Sequence, residues 1–316
     1  MANKRIISFS GLTVAAGIVA GTATTLGFLG SLHWFWDLLS HFRVQYFFGL
    51  FGVAVILLAL RRRLAAAIFG ALALVNLGVI LPLYWGGDTA PPAGIRPVRV
   101  MLANVHRANR DFAAVAAAVR RFAPDMVVLE EVDERWLAEL EPAMVGYRCT
   151  KEPRTDNFGL AFFSKFPVIQ AKVIYIGGAE VPSIMAEVET PQGRVTVLAT
   201  HPLPPLGREY SRWRNEQLAK LPRWVRGASS PVLLLGDLNC SPWSPSFSRL
   251  LRESGLKDSA RGRGVQPTWP SNNFFLRIPL DHCLYSPAIT VVRREVGPAV
   301  GSDHFPLIVD FVRALE

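Results

Sequence analysis

Carboxylates, amides and histidines recur at the ends of apolar runs through the second part of this chain. Asn104 closes the run in VMLANV, Glu130 and Glu131 follow the one in MVVLEEVD, and Thr200 and His201 close VLATH. Asp237 and Asn239 end VLLLGDLN, Asp281 lies within IPLDHCLY, and Ser302, Asp303 and His304 open GSDHFPLIV. Oxygen donors of this kind suit a hard cation such as Mg²⁺, with Mn²⁺ as an alternative. Such an ion keeps several waters and takes one or two carboxylates together with phosphate oxygens. No Cys/His spacing points to zinc. No glycine-rich phosphate loop precedes a lysine, and no G-x-S-x-G elbow offers a nucleophilic serine. Histidines and carboxylates around a metal, without a serine or cysteine nucleophile, point to attack by activated water.

Side chains so far apart in sequence need a scaffold that gathers them. Short apolar runs of strand length lie at residues 98–103, 126–129, 160–163, 195–200, 231–235, 280–285 and 307–311. Helical spacing intervenes at 111–122, capped by Asn109 or Asp111, and again at 208–225 and 245–254. Many strands with helices between them predict an α/β or α+β domain built on sheets. In open sheets, ligands gather where strands emit their loops, so the polar strand ends are expected to converge.

The first part of the chain has another character. Of 316 residues 50% are hydrophobic and 19% charged, and nearly all the apolar excess precedes residue 86. Uncharged runs span residues 6–30, 44–60 and 64–84. About 20 helical residues cross a hydrocarbon core, so these predict an all-α transmembrane region of about three helices over residues 1–85. Trp34, Phe35 and Trp36 are candidate interfacial aromatics before the shortest run. Only Asn76 and small hydroxyls interrupt the runs, which argues against a transporter or channel. Lys4 and Arg5 precede the first run, and Arg61, Arg62 and Arg63 join the second to the third. The positive-inside rule keeps both clusters cytoplasmic. Three crossings then place the rest of the chain outside the cytoplasm, as a multi-pass protein of the inner or plasma membrane. Residues 86–97, rich in Gly and Pro, read as a linker to a second domain at 98–316.

Charge narrows the partners. Six basic and two acidic residues precede position 91, and 28 basic and 23 acidic residues follow it. A nucleic-acid binder usually shows a concentrated basic face; the second domain is mildly basic, so the whole-chain charge overstates the case for a polyanionic partner while leaving nucleic acid among the candidates. Cys149, Cys240 and Cys283 all fall in this exported part, where an oxidising compartment permits a disulfide.

The motifs ANV, LEEV, ATH, GDLN, LDH and GSDH, in this order, resemble those of the endonuclease/exonuclease/phosphatase superfamily, here as a membrane-anchored bacterial member. That group includes deoxyribonucleases, exonucleases, neutral sphingomyelinases and inositol polyphosphate phosphatases. NFGLAFFSKFPV resembles the family's strand between the second and third motifs, and the likeness runs through residues 98–311. It implies a four-layer sandwich, two packed mixed β-sheets flanked by helices. It also implies roles. Glu131 would be the principal metal ligand, with Asn104 beside it and Asp303 near the metal. Asp237 would position and deprotonate the attacking water, and Asn239 would bind a phosphoryl oxygen or orient that water. Asp281 would pair with His304, which contacts the phosphate, and His201 would protonate the leaving oxygen.

The chain departs from the family pattern in two places. Glu130 stands where the family usually has Gln, and Asn157 best matches the Glu that orients the extra histidine in the deoxyribonuclease branch. Taken singly, the residues have plainer readings. Asn104 suits a strand-end turn, Glu130 and Glu131 suit the first turn of the helix holding Trp136, and His201 suits a cap before HPLPP. His106 has no required role. His282 should face away from Asp281 across its strand. If the strand ends at Cys240 and Cys283 are neighbours, those thiols are expected to pair.

The function implied is a metal-dependent phosphoester hydrolase of phosphodiesterase or nuclease type. The alternative substrates are a phospholipid or sphingolipid head group and an inositol or sugar phosphate. A non-catalytic membrane-tethered binding module is the reading from another class. Nothing in the sequence calls for an obligate protein partner.

Overall fold

The computed structural model describes residues 8–87 and 94–313. Lys4, Arg5 and part of the expected linker lie outside the described residues. The chain divides into two compact units, one of residues up to Pro82 with Trp243–Pro245, the other of Leu83–Pro242 with the residues from Ser246 on.

The first unit contains α1 (Phe9–Gly27), α2 (Trp34–Ser40), α3 (Arg43–Ala59) and α4 (Arg63–Ile80). Ser8 caps α1 by accepting from Gly11 N. Helix α1 and the helical stretch Arg63–Tyr84 are long and apolar enough to cross a membrane. The expected second span falls on the pair α2 and α3, bent by 68° at His41 and Phe42, so among the described residues two helices are long and apolar enough to cross a membrane, or three if the bent pair is one span. Small residues let α1 approach α4 closely: a Cβ on Gly17 would meet the Phe69 ring at 2.6 Å. The interior of the unit is more polar than the apolar runs suggest, because α3 begins at Arg43 and turns that side chain inward. Arg43 donates to Thr24 O (2.9 Å) and lies over the Phe28 ring, while Asn76 donates to Thr24 Oγ1 (2.9 Å).

The second unit is a sandwich. Its strands are β1 (Val98–Asn104), β2 (Met126–Glu130), β3 (Arg148–Glu152), β4 (Leu160–Ser164), β5 (Val168–Tyr175) and β6 (Pro182–Thr190). They continue with β7 (Gly193–Thr200), β8 (Val232–Asp237), β9 (Lys257–Asp258), β10 (Asp281–Tyr285), β11 (Ile289–Val296) and β12 (Leu307–Arg313). One sheet has the order β11-β12-β1-β2-β4-β3 and the other β5-β6-β7-β8-β10-β9. Each is mixed, with β1 parallel to β2 in the first and β7 parallel to β8 in the second.

Strand alternation decides what the sheets bury. Val100, Leu102, Val128 and Phe162 of the first sheet meet Ile184, Val197, Leu235 and Cys283 of the second in a fully buried inner layer. Complete burial of such side chains stabilises by roughly 1.5–3 kcal/mol each. The opposite parity, Met101, Val127 and Leu129, packs under α5 (Phe112–Phe122) and α6 (Glu134–Leu140). Leu198, Leu234 and Leu284 pack under α7 (Arg208–Arg226) and α8 (Pro245–Ser254). Four layers result, helix, sheet, sheet, helix, as the motif resemblance implies.

The expected Cys240–Cys283 disulfide is absent, and both side chains are buried. Cys283 belongs to the layer between the sheets and Cys240 to the layer under α7 and α8, so the sheet stands between them. His282 faces Cys240's side of its strand, where its Nε2 lies 2.8 Å from Cys240 O and its ring packs on Phe247.

Candidate active site

The core-facing rows of both sheets end in polar residues at one edge. Val98, Val100 and Leu102 share a face with Asn104, and Met126 and Val128 share one with Glu130. Leu233 and Leu235 lead to Asp237, whose register partner on β10 is Asp281. Strands β1, β2, β7 and β8 bring their C-terminal ends to this edge. Antiparallel β10 and β12 bring their N-terminal ends, with Asp281 on one and Asp303 and His304 just before the other. The sheets meet here: the Glu130 carboxyl accepts from Asp237 N at 3.0 Å. Gly236 leaves room at this point: a Cβ there would sit 1.9 Å from Thr200 O of the neighbouring β7 and 3.1 Å from Glu130 Oε1 of the other sheet.

Left-handed backbone shapes the rim. Glu131, His106 and Asn239 have φ of 61°, 54° and 50°, a conformation that costs a non-glycine residue of the order of 1–3 kcal/mol and concentrates at functional sites. At Glu131 it breaks the strand alternation and brings the carboxylate to Asn104, whose Nδ2 donates to Glu131 Oε1 (3.0 Å). Arg107 N donates to Glu131 Oε2 (3.4 Å), and Asn104 Oδ1 accepts from His106 N (3.0 Å). The two adjacent glutamates thus part company, Glu130 buried between the sheets and Glu131 facing the rim.

Two histidines flank Asp237. His304 Nδ1 lies 2.8 Å from Asp281 Oδ2, and its Nε2 lies 3.5 Å from Asp237 Oδ2. His201 Nε2 approaches the same Asp237 oxygen at 3.6 Å. Asp237 Oδ1 accepts from Asn239 N (2.9 Å), and Asn239 Nδ2 donates to Pro202 O (3.0 Å) within 3.3 Å of His201 Nε2. Burial favours a neutral His304 ring, but the Asp281 and Asp237 carboxylates outweigh it and push its pKa up to about 10. Burial opposes the charge on His201 too, and the adjacent Asp237 carboxylate together with the nearby Glu130 charge lifts it to about 9. Burial alone would raise Asp237, yet the His304 and His201 charges hold it below the ordinary carboxylate range. Glu130 goes the other way: burial pushes it up to about 8, the His201 charge opposes, and the Asp237 and Asp281 charges reinforce the rise.

The resemblance named Asn104, Glu131 and Asp303 as metal residues; Asn104 and Glu131 are hydrogen-bonded to each other, and His106 bridges Asn104 to Asp303. Asp303 accepts from Trp269 Nε1 (3.1 Å) and faces His106 Nδ1 (3.0 Å). Among the described residues no three His, Cys, Asp or Glu side chains surround one point as a protein-only metal cage would. The donor set still suits an ion that keeps most of its waters, because Glu131 offers a partly exposed carboxylate oriented by Asn104. Glu131 would hold such a cation, which supplies positive charge for phosphoryl oxygens.

The position expected to orient His201 does something else. Asn157 accepts from Arg107 Nε (3.2 Å), His201 Nδ1 has no hydrogen-bond partner, and the next residue, Phe158, packs its ring 5.6 Å from the imidazole. His106, Trp269 and Arg214 were not assigned to the site from sequence. Arg214, fully buried on α7, donates to Asn239 O (2.8 Å) and fixes the loop after β8. Parity could have placed Glu130 inside; nothing local announces Arg214.

The sequence pattern of the endonuclease/exonuclease/phosphatase family matches residues 101–304, well over half of the chain. The chain belongs to this family. Its members are hydrolases of phosphoester bonds, and the matched stretch holds every polar strand end described above. No curated relative matches. Among solved structures, the catalytic domain of human Nocturnin with bound sulfate is 22% identical, covering 72% of this chain and 96% of that one, with a TM-score of 0.57. TDP2 of D. rerio complexed with a single-strand DNA product is 17% identical over 69% of this chain and 99% of that one, at 0.58. A mannosyl-6-phosphatase of Bacteroides thetaiotaomicron is 20% identical over 68% and 99%, at 0.56. At these identities the likeness is one of fold.

Proposed function

We propose that this protein is a divalent-metal-dependent phosphoester hydrolase of phosphodiesterase or nuclease type. In this reading residues 1–85 anchor it in the inner or plasma membrane, 86–97 are the linker, and 98–316 form a catalytic domain outside the cytoplasm. The anchor rests on the apolar helices and on the basic residues Arg61, Arg62 and Arg63 between the last two. The observation that carries the chemistry is Asp237 held between two imidazoles, with His304 braced by Asp281 and Glu131 on the same edge.

Asp237, charged at neutral pH, accepts the proton of an attacking water. His304 is kept cationic and holds a phosphoryl oxygen. His201, also cationic, gives a proton to the leaving oxygen. Asn239 orients the water or the phosphoryl group. Preorganised charge of this kind is what phosphoryl transfer asks of a protein.

The test uses the full chain in detergent with bis-nitrophenyl phosphate, a nitrophenyl monoester, single-stranded DNA and dispersed phospholipids. Each is assayed with Mg²⁺, with Mn²⁺ and with EDTA. Turnover of at least one ester that EDTA abolishes is expected. A folded protein that turns over none of them would mark it as a binding module.

A further inference from the structure

The loop between β9 and β10 carries the most exposed apolar segment of the catalytic unit. At its tip, Phe274, Phe275 and Leu276 are 73%, 80% and 49% exposed. Asn273 caps this short turn by accepting from Phe275 N (3.1 Å), so the apolar side chains are displayed on an ordered turn.

The base of the loop is fastened to the catalytic edge. Trp269 pairs with Ile278 as an isolated bridge, and Thr268 Oγ1 accepts from Leu280 N and Asp281 N (both 3.2 Å). Ser271 N donates to Asp303 O (2.7 Å), Ser271 Oγ to Ser302 O (2.7 Å), and Trp269 Nε1 to Asp303. The Arg277 guanidinium lies 4.7 Å from the Phe305 ring centre. Anything that seats the tip therefore sits beside Asp281, Asp303 and His304. Strand order puts a second apolar loop at the same edge, the one after His201, where Leu206 is 76% exposed.

The chemistry of the tip selects a lipid surface. Residues 269–277 contain no acidic side chain, and their one cation, Arg277, lies between the Phe274 and Phe305 rings, where it favours an anionic surface over a cationic one. The Phe274 and Phe275 rings stand edge to face at 82°, which leaves no parallel slot for a base, and Leu276 and Leu206 offer nothing to stack on. The anchor makes a bilayer the standing neighbour: residues 85–97, at most about 45 Å of chain, hold the start of β1 to the last apolar helical stretch.

We propose that the Phe274–Leu276 tip enters the bilayer surface and that the phosphoester delivered to the site belongs to a membrane lipid. This rests on the anchored hydrolase proposed above. Aromatic side chains favour the membrane–water interface, and a neighbouring basic residue adds attraction to anionic lipid.

The test takes the full chain in phosphatidylcholine–phosphatidylglycerol nanodiscs. In a Cys149→Ser background, Phe275→Cys carries an NBD label. Val145→Cys, exposed near the opposite strand ends, carries the control. Doxyl-lipids should quench the label at 275 and spare the one at 145; equal quenching, or none at 275, overturns the insertion. A single-stranded oligonucleotide that shields the 275 label and blocks turnover overturns it in favour of nucleic acid. The triple substitution Phe274→Ser, Phe275→Ser, Leu276→Ser should raise the apparent KM for bilayer-embedded phosphoester lipids tenfold or more. It should leave soluble bis-nitrophenyl phosphate turnover within twofold. Unchanged lipid kinetics refute the proposal. Soluble turnover without hydrolysis of any embedded lipid refutes the lipid substrate while the hydrolase stands. Quenching at 275 without turnover of any ester upholds the insertion and refutes the hydrolase reading.

Discussion

Replacing Glu130 by glutamine should make the catalytic domain more stable at neutral pH, against the usual direction for a buried substitution. Glu130 is fully buried, and its pKa is pushed from 4.5 up to about 8. A carboxyl raised on folding contributes fully below its unfolded value of 4.5, and that contribution is lost as pH rises through about 8. At about 1.4 kcal/mol per pH unit, the loss is about 1 kcal/mol at pH 5 and about 3 kcal/mol at pH 7, levelling near 5 kcal/mol above pH 8. Glutamine does not titrate, and its amide oxygen can still accept from Asp237 N, as the carboxyl does at 3.0 Å. The gap between variant and native protein should therefore grow with pH. For a domain of this size it amounts to about 6–12 °C in Tm at pH 7.

The assay is thermal unfolding of both proteins from pH 5 to 9, in EDTA so that no cation offsets the carboxylate. Glu130→Leu is the control. It relieves the same titration but leaves the buried Asp237 N–H without an acceptor, so at every pH it should be less stable than Glu130→Gln by about 1–3 kcal/mol. A Glu130→Gln gap that does not change between pH 5 and pH 8, or a variant less stable throughout, would refute the placement of a strained carboxyl between the sheets.

Other outcomes follow from the same edge. Asp237→Asn should cut kcat by a factor of at least 10² to 10³, read with bis-nitrophenyl phosphate, and residual turnover above a tenth would remove Asp237 as the base. His201, raised to about 9, stays charged through neutrality. Its contribution to stability is present below about 6.5 and lost as pH rises through about 9, and activity should show an alkaline limb there that His201→Gln abolishes. Glu131→Gln should weaken Mn²⁺ binding, measured calorimetrically, by tenfold or more, whereas Asp303→Asn should weaken it less because His106 and Trp269 already engage that carboxylate.

Those strands were legible that bury an unbroken apolar run. β1, β2, β4, β8 and β12 lie inside their sheets and are apolar for most of their length, Arg99 of β1 and Asp310 of β12 pairing with each other. β3, β5 and β11 are sheet edges carrying residues such as Lys151, Lys172 and Arg293, and no apolar run marks them. β6 is interior but alternates, with Ile184, Ala186 and Val188 inward and Met185 and Glu187 outward, a period-two signal that a search for continuous runs passes over. The polar strand ends were visible one at a time. Which of two adjacent glutamates faces the rim was not, because the left-handed turn at Glu131 is a tertiary outcome that no local pattern encodes. The failed disulfide has a related origin. Cys240 lies beyond the end of β8 and Cys283 inside the neighbouring β10, opposite Leu235, and the two face opposite sides of the sheet.

The alternation that builds the core also loads the site. Asn104, Glu130, Asp237 and Asp281 occupy the last positions of rows whose earlier members are apolar and fully buried. Each charge is thereby carried to the end of a dry layer, where it interacts strongly with its neighbours and pays for desolvation. Asp237 is compensated from both sides by imidazoles, and His304 by Asp281, whereas Glu130 has a single backbone N–H. A carboxyl so placed stays protonated near neutrality. It adds no negative charge at the point where an anionic ester must approach, and it holds the strand of Asp237 in place as an amide would. An acid can therefore stand in the family's usual Gln position without undoing the charge pattern, provided the working pH stays below its raised pKa.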